Sequence, residues 1–283
     1  MPIAIAARAV VEDVATPPLR SLVAACITVF RRLTNEMRMI LSSLVLAASA
    51  FATEKAPILL VLTNHAELGD TGKLTGFFLS EAAHPYEVFT ENDYPVTLAS
   101  PKGGFAPLDP KSLELDDEAN AAFWKKFGNG NNAKPGVEKT TPLSEVDPAK
   151  YSAIFFAGGH GAVWDFPDSE VLQKITSQIY ENDGAVGAVC HGPAALVNVK
   201  LSDGSLLLSG KKTAVFTNSE EEAVGLTDTV PFLLQTAFEK AGATVLPAKD
   251  FSENAIRDGR LVTGQNPASA KKAAELLLEA IAE

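Results

Sequence analysis

Short, continuous apolar runs recur along this chain, separated by amphipathic stretches, and this alternation limits the fold more than any other feature. Pro57–Thr63 (PILLVLT), Pro95–Ser100, Tyr151–Ala157 (YSAIFFA) and Ala185–Val189 read as strands. Lys212–Thr217, Thr244–Leu246 and Leu261–Thr263 read as shorter ones. Between and after them, Thr75–Ala83, Asp168–Asn182, Thr229–Ala241 and Ala268–Ala282 read as helices, the first with Phe77, Phe78 and Leu79 on its apolar side. Strands without polar alternation are buried on both faces, so the pattern predicts an α/β fold with a mostly parallel sheet covered by helices. In such sheets ligands sit at the carboxyl ends of the strands.

Residues 105–150 break the alternation. They carry an acidic patch (Glu114–Glu118), the Phe123-Trp124 pair and a glycine/asparagine run, Gly128–Asn132. An insertion beside the active edge serves as a lid, as a dimer contact or as a surface excursion, and the sequence leaves these open.

The first 52 residues differ in character. Residues 1–36 show no clear periodicity. Met37-Arg38-Met39, the apolar run from Ile40 to Ala48 and the small-residue exit Ala50-Phe51-Ala52 describe a secretory signal peptide starting at Met37 and cleaved after Ala52. The run is well short of the roughly 20 residues that span a bilayer, so no stable membrane anchor is expected. Cleavage would make the chain periplasmic or secreted, and without it the chain would be cytoplasmic. From residue 56 to 283 a single catalytic domain is expected. A net charge of −11, with no basic stripe, argues against nucleic acid as a partner.

The sequence holds two cysteines, Cys26 and Cys190. Removal of the leader would leave Cys190 alone, unable to form an intrachain disulfide. Cys190 closes the Ala185–Val189 run, and Gly192-Pro193 follows as a helix start. That order places a thiol on a tight strand-to-helix turn, where a helix dipole would favour the thiolate. Proline suits a first helical position because its missing N–H would have had no partner there. His191 is the adjacent candidate base, and Gly158-Gly159-His160-Gly161 can bring backbone amides to a ligand. The plain alternative is a buried structural thiol. Class I glutamine amidotransferases share such an elbow, but they need a His-x-Glu pair near the C-terminus. This chain has no histidine beyond His191. No histidine/carboxylate spacing reads as a dedicated metal site, and no cofactor is expected.

Ala188-Val189-Cys190-His191-Gly192-Pro193, Phe156-Ala157-Gly158-Gly159-His160-Gly161 and Thr263-Gly264-Gln265-Asn266-Pro267 resemble the ThiJ/PfpI superfamily over roughly residues 56–283. They are most similar to its glutathione-independent glyoxalase (glyoxalase III) branch, which includes heat-inducible holding chaperones. The resemblance implies a flavodoxin-like three-layer sandwich and a Cys–His–acid triad. Cys190 and His191 match directly. The acid falls within Glu220, Glu221 and Glu222, with spacing from Phe216 favouring Glu221. A further glutamate beneath the nucleophile corresponds to Glu81, otherwise an exposed helical residue. Gly159 and His160 are expected to supply oxyanion or substrate contacts, the His160 amide more safely than its ring. Trp164 and Phe166 are pocket walls or core, while His65 and His84 carry no assignment.

The implied activity is a glyoxalase III type lyase (D-lactate dehydratase) that converts methylglyoxal to lactate through a Cys190 hemithioacetal. A stress-response holding chaperone and a small-substrate cysteine peptidase or amidase are the alternatives. Dimers are usual in the superfamily, so a homodimer is expected.

Overall fold

The structure, a computed structural model, describes residues 55–131 and 133–282. The leader readings, including the Met37 signal peptide and Cys26, lie outside these residues. Among the described residues no helix is long and apolar enough to cross a membrane.

The strands are β1 (Ile58–Val61), β2 (Val96–Ser100), β3 (Gly104–Pro107), β4 (Gly136–Pro142), β5 (Ala153–Phe156), β6 (Ala185–Val189), β7 (Lys212–Thr213), β8 (Thr244–Val245), β9 (Ala255–Asp258) and β10 (Leu261–Gly264). The helices are α1 (Leu79–Glu91), α2 (Glu118–Phe127), α3 (Ala162–Asp165), α4 (Glu170–Glu181), α5 (Asn218–Ala223), α6 (Leu234–Lys240) and α7 (Ala270–Ile281).

Eight strands form one sheet in the order β3-β4-β2-β1-β5-β6-β10-β9, and β7 and β8 pair separately. From β4 across to β10 neighbouring strands are parallel, and only the edge strands β3 and β9 run antiparallel to their neighbours. Successive side chains of a strand point to opposite faces. Because every residue of β1, β5 and β6 is buried, both faces are covered. Helices α1 and α7 pack together, α7 also lies on β6 and β10, and α4 packs on β5 and β6. This is the mixed, mostly parallel, flavodoxin-like arrangement the sequence implies.

Residues 105–150 are built into the sheet rather than set above it as a separate lid. They supply most of β3, all of β4, and α2, which packs on α1. The Ser112 hydroxyl also accepts a hydrogen bond from the Leu79 amide at 3.0 Å, capping the start of α1. The insertion therefore anchors the helix that carries Glu81.

Three predicted elements are displaced. Helix α1 starts at Leu79, not Thr75, because the Phe77 amide bonds to the Pro107 carbonyl at 2.9 Å and holds that stretch extended. The Lys212–Thr217 strand pairs only through Thr213. Beyond it the Ala214 amide bonds to the Thr263 hydroxyl and the Phe216 amide to the Cys190 carbonyl. The Thr229–Ala241 helix is confined to Leu234–Lys240, since Pro231 disfavours helical geometry in the residue before it.

Candidate active site

Cys190 is the residue immediately after β6, at the carboxyl edge of the sheet. Its amide bonds to the Gly264 carbonyl of β10 at 2.9 Å, and its carbonyl accepts the Phe216 amide at 3.2 Å. These bonds pin it at φ 60°, a left-handed conformation that side chains other than glycine avoid. Holding a residue there costs on the order of 1–3 kcal/mol and marks a turn fixed by its surroundings. The helix expected after it is a buried five-residue 3-10 helix, Gly192–Leu196.

Around this elbow the fold gathers residues far apart in sequence. The Cys190 thiol donates to His191 Nδ1 at 3.4 Å, and His191 Nε2 donates to Glu221 Oε2 at 2.8 Å. A carboxylate can only accept, so the ring hydrogen of His191 lies on Nε2 and the Nδ1 lone pair faces sulfur. His160 Nε2 donates to the other oxygen of the same carboxylate at 2.9 Å. The His160 ring lies 4.1 Å from that of His191, and the Phe216 ring covers His191 at 4.4 Å.

The three adjacent glutamates separate cleanly. Glu221 is buried and faces the histidines, Glu222 is exposed, and Glu220 is buried with its carboxyl turned to other partners. Glu220 forms a capping box with Thr217, which starts α5 and sets the direction of the next residue.

Glu81 stands in the first turn of α1 and is fully buried. Neither carboxyl oxygen has a well-aligned hydrogen-bond partner among the described residues, and its polar neighbours are the Cys190 thiol and the Gly158 amide. Its approach depends on Gly158. A Cβ on Gly158 would stand 2.4 Å from Glu81 Oε2 and 2.7 Å from the His191 nitrogen. Gly159, at φ 98°, would collide with the Gly76 carbonyl at 2.3 Å.

Burial governs the electrostatics. It pushes the Glu81 carboxyl up to about 8, so this group is a carboxylic acid at neutral pH. Burial, with Glu81 alongside, pushes the Cys190 thiol well above the ordinary range. The expected dipole-stabilised thiolate is thus not the resting form, because one turn of 3-10 helix is outweighed by desolvation. Opposing that cost, the Gly159 and His191 amides are directed at the sulfur. Burial and the neighbouring His160 lower His191 to about 4, so it rests as a neutral base. Burial alone would raise Glu221, but the bonds from His160 and His191 outweigh it and hold the carboxylate at about 2.

His160 thus has a ring contact that its sequence position conceals, since 61 residues separate it from Glu221. Among the described residues, His160, His191 and Glu221 are also the one group with ligand atoms close enough, within 4.8 Å, to hold a metal ion. Their contacts are accounted for by the two hydrogen bonds. Trp164 stacks on His65 with centroids 5.0 Å apart, and Phe166 is core. His84 pairs with Asp117 at 3.1 Å. Asp165, which no motif pointed to, accepts from Thr63 and from the Asn64 amide at the end of β1, and burial raises it to about 6.

Sheet, elbow and buried Cys–His–Glu constellation define a flavodoxin-like α/β protein with its candidate site at the strand ends. More particularly, the chain belongs to the DJ-1/PfpI family, whose model matches residues 74–280. It is 37% identical over 231 residues to Glyoxalase 3 of Candida albicans, across 79% of this chain and 97% of that protein. It is 34% identical to the glutathione-independent glyoxalase HSP31 of Saccharomyces cerevisiae, with the same two coverages. The crystal structure of glyoxalase III from Candida albicans superposes with a TM-score of 0.71 at 34% identity, covering 80% of this chain and 97% of that one.

Proposed function

We propose that this protein is a glutathione-independent glyoxalase that converts methylglyoxal and water to lactate, with Cys190 as nucleophile. The observation that carries this reading is a thiol set between a neutral imidazole and a protonated carboxyl: Cys190, His191 and Glu81. The names of the relatives point to glyoxalase activity.

His191 Nδ1 takes the thiol proton as sulfur adds to the aldehyde carbon. The Gly159 and His191 amides steady the resulting oxyanion, which then recovers the proton as a hemithioacetal. Isomerisation next needs one group to act on carbon and another on oxygen. His191 removes the hydrogen from the former aldehyde carbon while Glu81 protonates the ketone oxygen, giving an enediol. His191 then returns its proton to the second carbon, and Glu81 takes the proton from the first hydroxyl. The product is a thioester, with both groups restored to their resting forms. Water, deprotonated by His191, displaces the Cys190 sulfur, which recovers that proton from the imidazole as lactate is released. Glu221 keeps the imidazole in the required tautomer throughout, and the His160 ring braces Glu221.

Lactate production from methylglyoxal by purified protein without glutathione tests the reading, with an enantiomer-specific assay for the D form. Cys190→Ser is expected to lose at least 10³-fold in kcat, and turnover equal to wild type would overturn the mechanism. The same reading includes a homodimer, tested by light scattering, and export from the Met37 leader. Mass spectrometry of the mature N-terminus tests export: Thr53 supports it and Met1 refutes it.

A further inference from the structure

The Glu220 carboxyl has every one of its contacts satisfied by donors from three separate segments. Oε2 accepts from the Thr217 amide and hydroxyl, each at 2.9 Å, and Oε1 accepts from the Phe251 amide and Asn266 Nδ2, each at 2.8 Å. The residue is fully buried, as are Gln265 and Asn266. Asn266 also donates to the Ser252 carbonyl at 2.8 Å. Gln265 Oε1 accepts from the Ala248 amide and from Asn254 Nδ2. The Thr263–Pro267 motif, which the chemistry above leaves unused, is therefore a polar bracket closed around Glu220 and the 248–254 loop. Phe251 is held in that bracket at φ 60°, a conformation unfavourable for an aromatic residue.

The geometry points to Glu220 as a positioning residue for the Cys190–His191–Glu221 relay, acting through its neighbour. Helix α5 is six residues long and too short to fix its own orientation by propensity. What aims it is the capping box at its start, together with the ties from Glu220 to the Phe251 amide and to Asn266. Glu221, the next residue, must offer one oxygen to His191 at 2.8 Å and the other to His160 at 2.9 Å. A small rotation of α5 would break both. Two of the donors around Glu220, the Thr217 and Phe251 amides, cannot reverse, and each bonds a different carboxyl oxygen. A glutamine there would direct its NH₂ at another donor and loosen the helix start.

The inference rests on the proposed triad, and a double-mutant cycle between Glu220 and Glu221 tests it. Two readouts are taken: kcat and KM for lactate formation, and the rate of Cys190 alkylation by iodoacetamide. Glu220→Gln is expected to lower kcat at least tenfold with KM within twofold, and to slow alkylation in parallel. In a Glu221→Gln background the same change is expected to alter either readout by less than twofold, because the relay it acts through is already broken. A merely structural role would instead repeat its loss in both backgrounds, and that result overturns the proposal, as does wild-type kcat in Glu220→Gln. Asn266→Ala, which removes one tie and leaves the capping box intact, is expected to lose about fivefold in alkylation rate and serves if Glu220→Gln does not fold. Wild-type protein that makes no lactate would sink the glyoxalase reading, while the alkylation cycle would still decide the role of Glu220.

Discussion

In the proposed mechanism, two buried groups with opposite proton requirements set the working range of the site. His191 must be neutral to accept the thiol proton, and it is lowered to about 4. Glu81 must be protonated to serve an oxygen and to keep a second negative charge away from the sulfur, and it is raised to about 8. The kcat profile for lactate formation should therefore fall below about pH 4 and above about pH 8. Glu81→Gln should lose roughly 10²-fold in kcat, since an amide donates a hydrogen bond but not a proton, and its alkaline limb near 8 should vanish. Stability should respond to the same group. Between the ordinary carboxyl value of 4.5 and about 8, the folded protein holds a proton on Glu81 that the unfolded chain has released. The folded state binds more protons there, so stability falls as pH rises through that window. Glutamine has no such dependence. By calorimetry, the Tm of Glu81→Gln should gain on wild type by on the order of 10 °C between pH 5 and pH 8. A constant difference across that range would mean that Glu81 is ionised in the folded protein.

The short elements around the elbow show which features a sequence discloses. Ala185–Val189 is bounded as read, because an unbroken apolar run between Gly184 and Cys190 has one place to go in a parallel sheet. The region from Thr75 to Phe78 reads as helix in the sequence because its apolar residues suit either state. Its conformation is decided by the Pro107 carbonyl, which arrives from the 105–150 insertion and belongs to no local pattern. Cys190, His191 and Gly159 were legible for the same reason as β6, since each lies at a strand end with a local signature. Spacing only leaned toward Glu221, and the structure separates it from Glu220 by the direction each side chain takes from the α5 capping box. The His160–Glu221 contact was not legible, since no local signal joins residues 61 positions apart. The capping box itself can be weakened without touching a reacting group. Thr217→Ala should cost about 1 kcal/mol, lowering Tm by about 2–4 °C. If the cap aims Glu221, that variant should also lose about fivefold in kcat with KM unchanged. Loss of stability alone, with full kcat, would show that α5 holds its direction by other contacts.

At the scale of the molecule, the contacts described for the site lie among residues from Lys55 onward. The described core runs from Ile58 to Ala280, and its strands and helices pack on one another across the central sheet. Every residue assigned a role lies between Glu81 and Asn266, and each support identified for it also comes from inside this span: Ser112 for α1, Gly264 for Cys190, Asn266 for Glu220. Lys55–Glu283 is also one of the two units into which the chain divides. A chain beginning at Lys55 should therefore fold cooperatively and keep its chemistry. Its Tm should lie within about 2 °C of the full-length value, a difference worth under about 1 kcal/mol for a domain of this size. Its kcat for lactate formation and its rate of Cys190 alkylation should each stay within twofold. Calorimetry and the two rate measurements on both chains decide the matter separately. Equal Tm with lost turnover would place a functional contribution before Lys55. A lowered Tm with equal turnover would instead give residues 1–54 a part in stability, and neither outcome is expected when every described support for the core and the site comes from Lys55 onward.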